Sequence, residues 1–180
     1  MIEILALSGS LRQASINTKL LTAITRAAPD NITINLFSGL GALPFFNPDL
    51  EGLEPDSVLA FRKVLSASDG VIISSPEYAH GITGVMKNAL DWIVGSGEFM
   101  NKPVAVLNAA PRSSTAYETL KEVVRTIDAK IIPDASIDIP VLGRDLDVSG
   151  LLSDPEIAPL IDRVISSLTM AINATADCVT

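Results

Sequence analysis

Cysteine is almost missing from this sequence. Cys178, close to the C-terminal end, is the only one, so neither a disulfide framework nor a Cys-rich metal site can be built, and a reduced cytoplasmic setting is expected. Positive charge is also scarce: 13 Lys and Arg against 21 Asp and Glu leave a formal charge of −8 over 180 residues. That balance argues against a nucleic-acid binder, whose affinity comes from clustered cations. Long apolar runs are absent near the start, where Ile2 to Leu7 is short and carries Glu3. Neither a signal peptide nor a membrane span is expected, and the chain reads as soluble. Two nucleotide-binding fingerprints are missing, G-x-G-x-x-G and G-x-x-x-x-G-K-[ST]. Asn31-Ile32-Thr33 and Asn173-Ala174-Thr175 match the glycosylation pattern only by chance in a chain of this kind.

What is present is a regular alternation. Four apolar, β-branched-rich runs have the texture of strands buried on both faces: Ile2 to Leu7, Ile32 to Phe37, Gly70 to Ser74 and Val104 to Asn108. A fifth, Lys130 to Ile139, is interrupted by Pro133 and reads as an edge strand, where a missing N–H costs least. Helical periodicity fills the gaps. Ile16, Leu20, Leu21, Ile24 and Ala27 share one face; a second helix is expected over Asp56 to Ala67; Ile82, Val85, Met86, Ala89, Leu90 and Ile93 share a third face; a fourth helix is expected from Ser114 to Asp128. Asp154-Pro155 reads as an N-cap followed by proline at the first helical position, opening a last helix that buries Ile157, Leu160, Ile161, Val164, Ile165 and Leu168.

Strict βα alternation in one 180-residue domain implies a doubly wound α/β fold: a five-stranded parallel sheet with helices on both faces, of flavodoxin-like order 2-1-3-4-5. Ligands of such sheets bind outside the carboxyl ends of the strands, where the strand order reverses. Here that selects three loops, Ser8 to Ser15, Ser74 to Gly81 and Ala109 to Ser114. The segment Gly39 to Pro55, rich in Gly and Pro, is too irregular for a helix and reads as a lid or a partner-facing surface.

The first loop offers Ser10, Ser15, Asn17 and Thr18 as donors, with Arg12 as its fixed positive charge, at the start of a helix. Free N–H groups and the helix dipole suit that place to a phosphate monoester. Ser15 or Asn17 as a plain N-cap is the competing reading. The third-strand loop reads Ser74-Ser75-Pro76-Glu77-Tyr78-Ala79-His80-Gly81 and runs into Gly84, Lys87, Asn88, Asp91 and Trp92.

Together, Gly9-Ser10-x-Arg12-x-x-Ser15-x-Asn17 and Pro76-Glu77-Tyr78 followed by Gly84-x-x-Lys87-Asn88-x-x-Asp91-Trp92 resemble the NADPH-dependent FMN reductase family of flavodoxin-like proteins, with its quinone, chromate and azo-dye reductases. The resemblance spans roughly residues 1 to 130. Two departures stand out: Ala79 replaces the usual Asn, and Ala109-Ala110-Pro111-Arg112-Ser113 replaces a Gly-rich turn. The resemblance implies an FMN enzyme using NADPH or NADH, passing electrons to FMN, a quinone or another small acceptor, with no catalytic side chain of its own. It implies Ser10, Arg12, Ser15, Asn17 and Thr18 around the FMN phosphate. Pro76, Glu77, Tyr78 and the backbone of Ala79, His80 and Gly81 would lie along the isoalloxazine.

It also implies a homodimer or homotetramer. Arg112 is open between a nicotinamide phosphate and the turn after the fourth strand. His80, the only histidine, reads as structural in preference to a proton donor. Lys87 and Asp91 read as a solvated i,i+4 pair and Trp92 as core or subunit contact. A phosphatase of this fold would need a cysteine in the first loop, and a receiver domain an aspartate after the third strand; neither is there. A non-enzymatic electron carrier would hold flavin between aromatic rings, and here Tyr78 alone is placed to meet it. That scarcity favours the reductase over a carrier or a passive FMN-binding protein.

Overall fold

The computed structural model describes residues 1–112 and 115–177. Strands β1 (Ile2–Ser8), β2 (Ile32–Phe37), β3 (Gly70–Ser74), β6 (Pro103–Leu107) and β7 (Lys130–Ile131) form one sheet of order β2-β1-β3-β6-β7. All its pairings are parallel. Counted within the sheet, this is the expected 2-1-3-4-5. Two further strands, β4 (Glu77–Tyr78) and β5 (Gly81–Ile82), pair antiparallel as a separate hairpin.

Strand alternation distributes the core. Ile4, Ala6, Ile72, Ala105 and Leu107 point to the face covered by helices α1 (Ile16–Ala27), α5 (Val148–Ser153) and α6 (Ile157–Asp177). Leu5, Leu7, Val71, Ile73, Val104 and Val106 point to the face covered by α2 (Asp56–Ala67), α3 (Gly84–Asp91) and α4 (Thr115–Thr126). A strand buried on both sides has no room for polar residues at either parity, which is why these runs are continuously apolar.

Two expectations need correction. The fifth strand is two residues long, because Pro133 turns the chain; pairing resumes only as a single bridge between Asn108 and Asp138. The third-strand loop folds as the β4–β5 hairpin, with Glu77–Tyr78 extended as its first strand. Gly39 to Pro55, helix-free by sequence, holds two single 3-10 turns, Leu40–Ala42 and Pro48–Leu50. The short helix α5, capped by Asp147, has no counterpart in the sequence reading. The predicted cap of the last helix is present: Asp154 Oδ1 accepts from the N–H groups of Glu156 and Ile157, and Ile157, Ile161, Val164 and Leu168 are buried. The stretch Ile157–Thr175 is long and apolar enough to cross a membrane by length and composition, and its buried face packs against the sheet. Ser114, the expected start of the fourth helix, and Cys178 lie outside the described residues.

Candidate active site

At the carboxyl end of the sheet, Ser8, Ser74 and Leu107 end three neighbouring strands in register. The chain leaving β1 is tied down at once. Gly9 N–H donates to Ser74 O at 2.9 Å, and Gly9 O accepts from Thr83 Oγ1 at 2.7 Å. Glycine is required there by proximity: a Cβ on Gly9 would stand 2.2 Å from Ser75 Oγ and 2.6 Å from its Cβ. Thr83, in the same act, N-caps α3.

The polar residues of the first loop bond to one another. Ser8 Oγ and Thr18 Oγ1 are 2.7 Å apart, and Ser74 Oγ donates to Asn17 Oδ1 at 2.8 Å. Ser15 caps α1, its Oγ accepting from Thr18 N–H at 3.3 Å. Ser15 and Asn17 are buried even though both are polar. With Oδ1 held by Ser74, the Asn17 amide presents Nδ2, which has no hydrogen-bond partner among the described residues. The N–H groups of Ile16 and Asn17, in the first turn of α1, likewise find no acceptor there.

A cavity of about 260 Å³ opens beside this loop. Ser10, Arg12, Ser15 and Asn17 line its polar side; Pro76, Glu77 and Tyr78 come from the hairpin; Leu107 and Asn108 from the end of β6; Ala116, Tyr117 and Leu120 from α4; and Leu142 closes one edge. Hydroxyls, an amide donor, free helix N–H groups and a guanidinium thus line the same chamber as apolar and aromatic side chains. This donor set suits a phosphate attached to a planar ring system, and FMN is such a molecule.

Seven of the expected residues therefore meet at one cavity: Ser10, Arg12, Ser15, Asn17, Pro76, Glu77 and Tyr78. Five do not line it. Thr18 is turned to Ser8 and borders a second hollow beyond the loop. Ala79, His80 and Gly81 form the far end of the hairpin, and Arg112 is exposed. The hairpin turn is strained: Ala79 and His80 have φ of 50° and 58°, the left-handed pair that a type I′ turn requires and that Asn-Gly adopts most readily. His80 is 87% exposed, and its Nδ1 lies 3.1 Å from Glu77 Oε1.

Glu77 anchors the hairpin. Its Oε2 accepts from Ala116 N–H at 3.0 Å, in the first turn of α4, where the helix dipole favours an anion. That bond, joined by the contact with His80, holds the carboxyl below the usual carboxylate range against the opposing effect of burial. Lys87 and Asp91 form the expected pair. Trp92 is core, its Nε1 donating to Pro44 O at 2.8 Å and its ring edge-on to Phe46.

Tyr117 was missed. It sits on α4 between Ala116 and Leu120, so its helical spacing reads as core; the available signal was a phenol in the first turn of a helix that begins at the ligand end of the sheet.

Comparison with known proteins bears on the family and the fold. Residues 2–140 match the family model described as NADPH-dependent FMN reductase. An NAD(P)H-dependent FMN reductase of Pseudomonas aeruginosa is 31% identical over 175 residues, 94% of either chain. An NADPH:quinone oxidoreductase of Arabidopsis thaliana is 36% identical over 178 residues, covering 93% of this chain and 90% of that one. Among solved structures, FerB, a flavoenzyme NAD(P)H:(acceptor) oxidoreductase from Paracoccus denitrificans, superposes with a TM-score of 0.82 at 27% identity over 97% of this chain and 98% of its own. With the family model covering most of the sheet and both motif loops, the chain belongs to the NADPH-dependent FMN reductase family.

Proposed function

We propose that this chain, acting as one FMN-binding domain, is an NAD(P)H-dependent reductase that passes electrons from a nicotinamide to FMN, a quinone or a similar small acceptor. The observation that carries the reading is the cavity itself, where phosphate-type donors and an apolar, aromatic wall meet at the sheet's switch point. Asn17 Nδ2, the Ser10 and Ser15 hydroxyls, Arg12 and the first N–H groups of α1 would hold the FMN phosphate. Pro76, Glu77 and Tyr78 would border the isoalloxazine. The chemistry FMN supplies when bound is hydride acceptance from the nicotinamide and electron donation to the acceptor.

The protein's share is placement. Asn17 and Ser15 are oriented before any ligand arrives, and Glu77 keeps the hairpin against α4. Tyr78 is 58% exposed at the rim and leaves one open side, which nicotinamide and acceptor must share in turn. Turnover is therefore ping-pong. Steady-state NADPH oxidation with FMN or a quinone tests the reading: parallel double-reciprocal plots support it, and intersecting plots contradict a shared opening. FMN binding without NAD(P)H turnover would mark an electron carrier instead.

A homodimer or homotetramer belongs to the same proposal. Phe45 and Leu53, 92% and 76% exposed in the segment 39–55, favour burial against another copy. A cytoplasmic setting accords with the single cysteine.

A further inference from the structure

We propose that Tyr117 is the aromatic wall of the flavin pocket, in van der Waals contact with the isoalloxazine of bound FMN; the inference rests on the reading that this cavity holds FMN. Tyr117 lines the cavity with Leu107 at the end of β6 and Leu120 of α4, whereas the hydroxyl and amide donors come from the loop after β1 and the start of α1. It is half-buried, whereas Tyr78 stands at the exposed rim. A flat ring system entering between the hairpin and α4 meets Tyr117 as the deeper of the two aromatic surfaces.

The side chain is held at two points. Its hydroxyl donates to Ser136 O at 2.8 Å, in the turn that follows β7, and the Lys121 ammonium sits 4.8 Å from the ring centroid. These restraints fix the ring before a ligand binds and so lower the ordering cost of a stacking contact. They also decide which part of the tyrosine acts. The phenol proton is committed to a backbone carbonyl, and burial, aided by Asp138 and Glu118, pushes its pKa up to about 12. Tyr117 thus offers the cavity a neutral ring and no proton.

Ring and hydroxyl separate experimentally through Tyr117→Phe and Tyr117→Leu, each examined for FMN affinity by equilibrium dialysis and for the emission yield of bound FMN. A phenol touching a flavin quenches its fluorescence by lending an electron to the excited state and recovering it; phenylalanine, much harder to oxidise, does not. Tyr117→Phe is expected to keep FMN affinity within about threefold of the parent while its bound flavin becomes clearly brighter. Tyr117→Leu is expected to brighten as well and to bind FMN about tenfold more weakly, on the scale of a lost aromatic contact. Melting of the cofactor-free variants separately records the lost bond to Ser136. If both variants hold FMN with parental affinity and parental emission, Tyr117 only fastens α4 to the chain after β7 and the proposal is overturned. If the parent binds no FMN, the functional reading falls, and this inference with it.

Discussion

The two loops that flank the cavity are built by opposite means. The loop after β1 is stiffened from inside: Ser8 pairs with Thr18, Ser74 holds Asn17 Oδ1, and Ser15 caps the helix that follows. The β4–β5 hairpin is held from outside, by the Glu77 carboxylate on α4, and its turn puts two residues with side chains into the left-handed region. The first loop can present donors to an anion without rearranging. The hairpin stores strain at its tip and is tied to α4 through the Glu77 carboxylate, so it is the element expected to yield when a flat ligand enters.

The largest effect is expected where the two elements touch. Gly9→Val places carbon into the space of Ser75 and pries the loop from the β3 end; it should destabilise the fold by roughly 1–3 kcal/mol, as overpacking does, and abolish flavin retention on a desalting column. Within the stiff loop, Ser15→Ala combined with Asn17→Ala should weaken FMN binding by about 1–3 kcal/mol, the scale of hydrogen bonds to a charged group. Unchanged affinity in a fluorescence titration would reduce both residues to helix caps.

The hairpin should answer differently. Ala79→Gly relieves a left-handed alanine and is expected to stabilise by about 1 kcal/mol, raising Tm by roughly 2–4 °C, with FMN affinity unaltered because residue 79 does not line the cavity. The Glu77 tether gives the hairpin an acid limit. Its carboxyl titrates below the ordinary range in the folded chain, so the stabilisation it provides is complete above the unfolded-state pKa and is lost as pH falls through the lowered folded value. Glu77→Ala should erase that acid dependence in melts across pH 2–6, and Glu77→Gln, which still accepts from Ala116 N–H, should keep part of the neutral-pH stability. The smallest effect belongs to His80. Exposed and outside the cavity lining, it can be replaced by Ala with NADPH-to-flavin reduction in stopped flow slowed by less than about tenfold, roughly 1.4 kcal/mol.

The same contrast explains what the sequence disclosed. Ile2–Ser8 and Gly70–Ser74 were legible because strands buried on both sides are apolar along most of their length, and Ile32–Phe37, at the sheet edge, because its buried Ile32 and Ile34 alternate with polar Thr33 and Asn35. Ser10, Arg12, Ser15 and Asn17 were legible because their types announce a helix start able to receive an anion. The hairpin was not, since Ala79-His80 carries none of the Asn, Asp or Gly that signals a left-handed turn, and tertiary anchoring by Glu77 supplies what the local sequence lacks. The fifth strand was overextended because apolar content on both sides of Pro133 outweighed the break that the proline makes. Thr18 looks like a phosphate donor by type and position, yet its hydroxyl is taken by Ser8, a pairing across strand and helix that no local pattern encodes.

The central claim is that the stiff loop holds a phosphate. Riboflavin is FMN without that phosphate, so titrating the protein with both ligands isolates the loop's contribution from everything the ring system gains elsewhere. FMN is expected to bind at least about a hundredfold more tightly than riboflavin, as one or two charge-assisted hydrogen bonds provide, and the gap should narrow in the Ser15→Ala, Asn17→Ala double variant. Equal affinity for the two flavins would contradict the account.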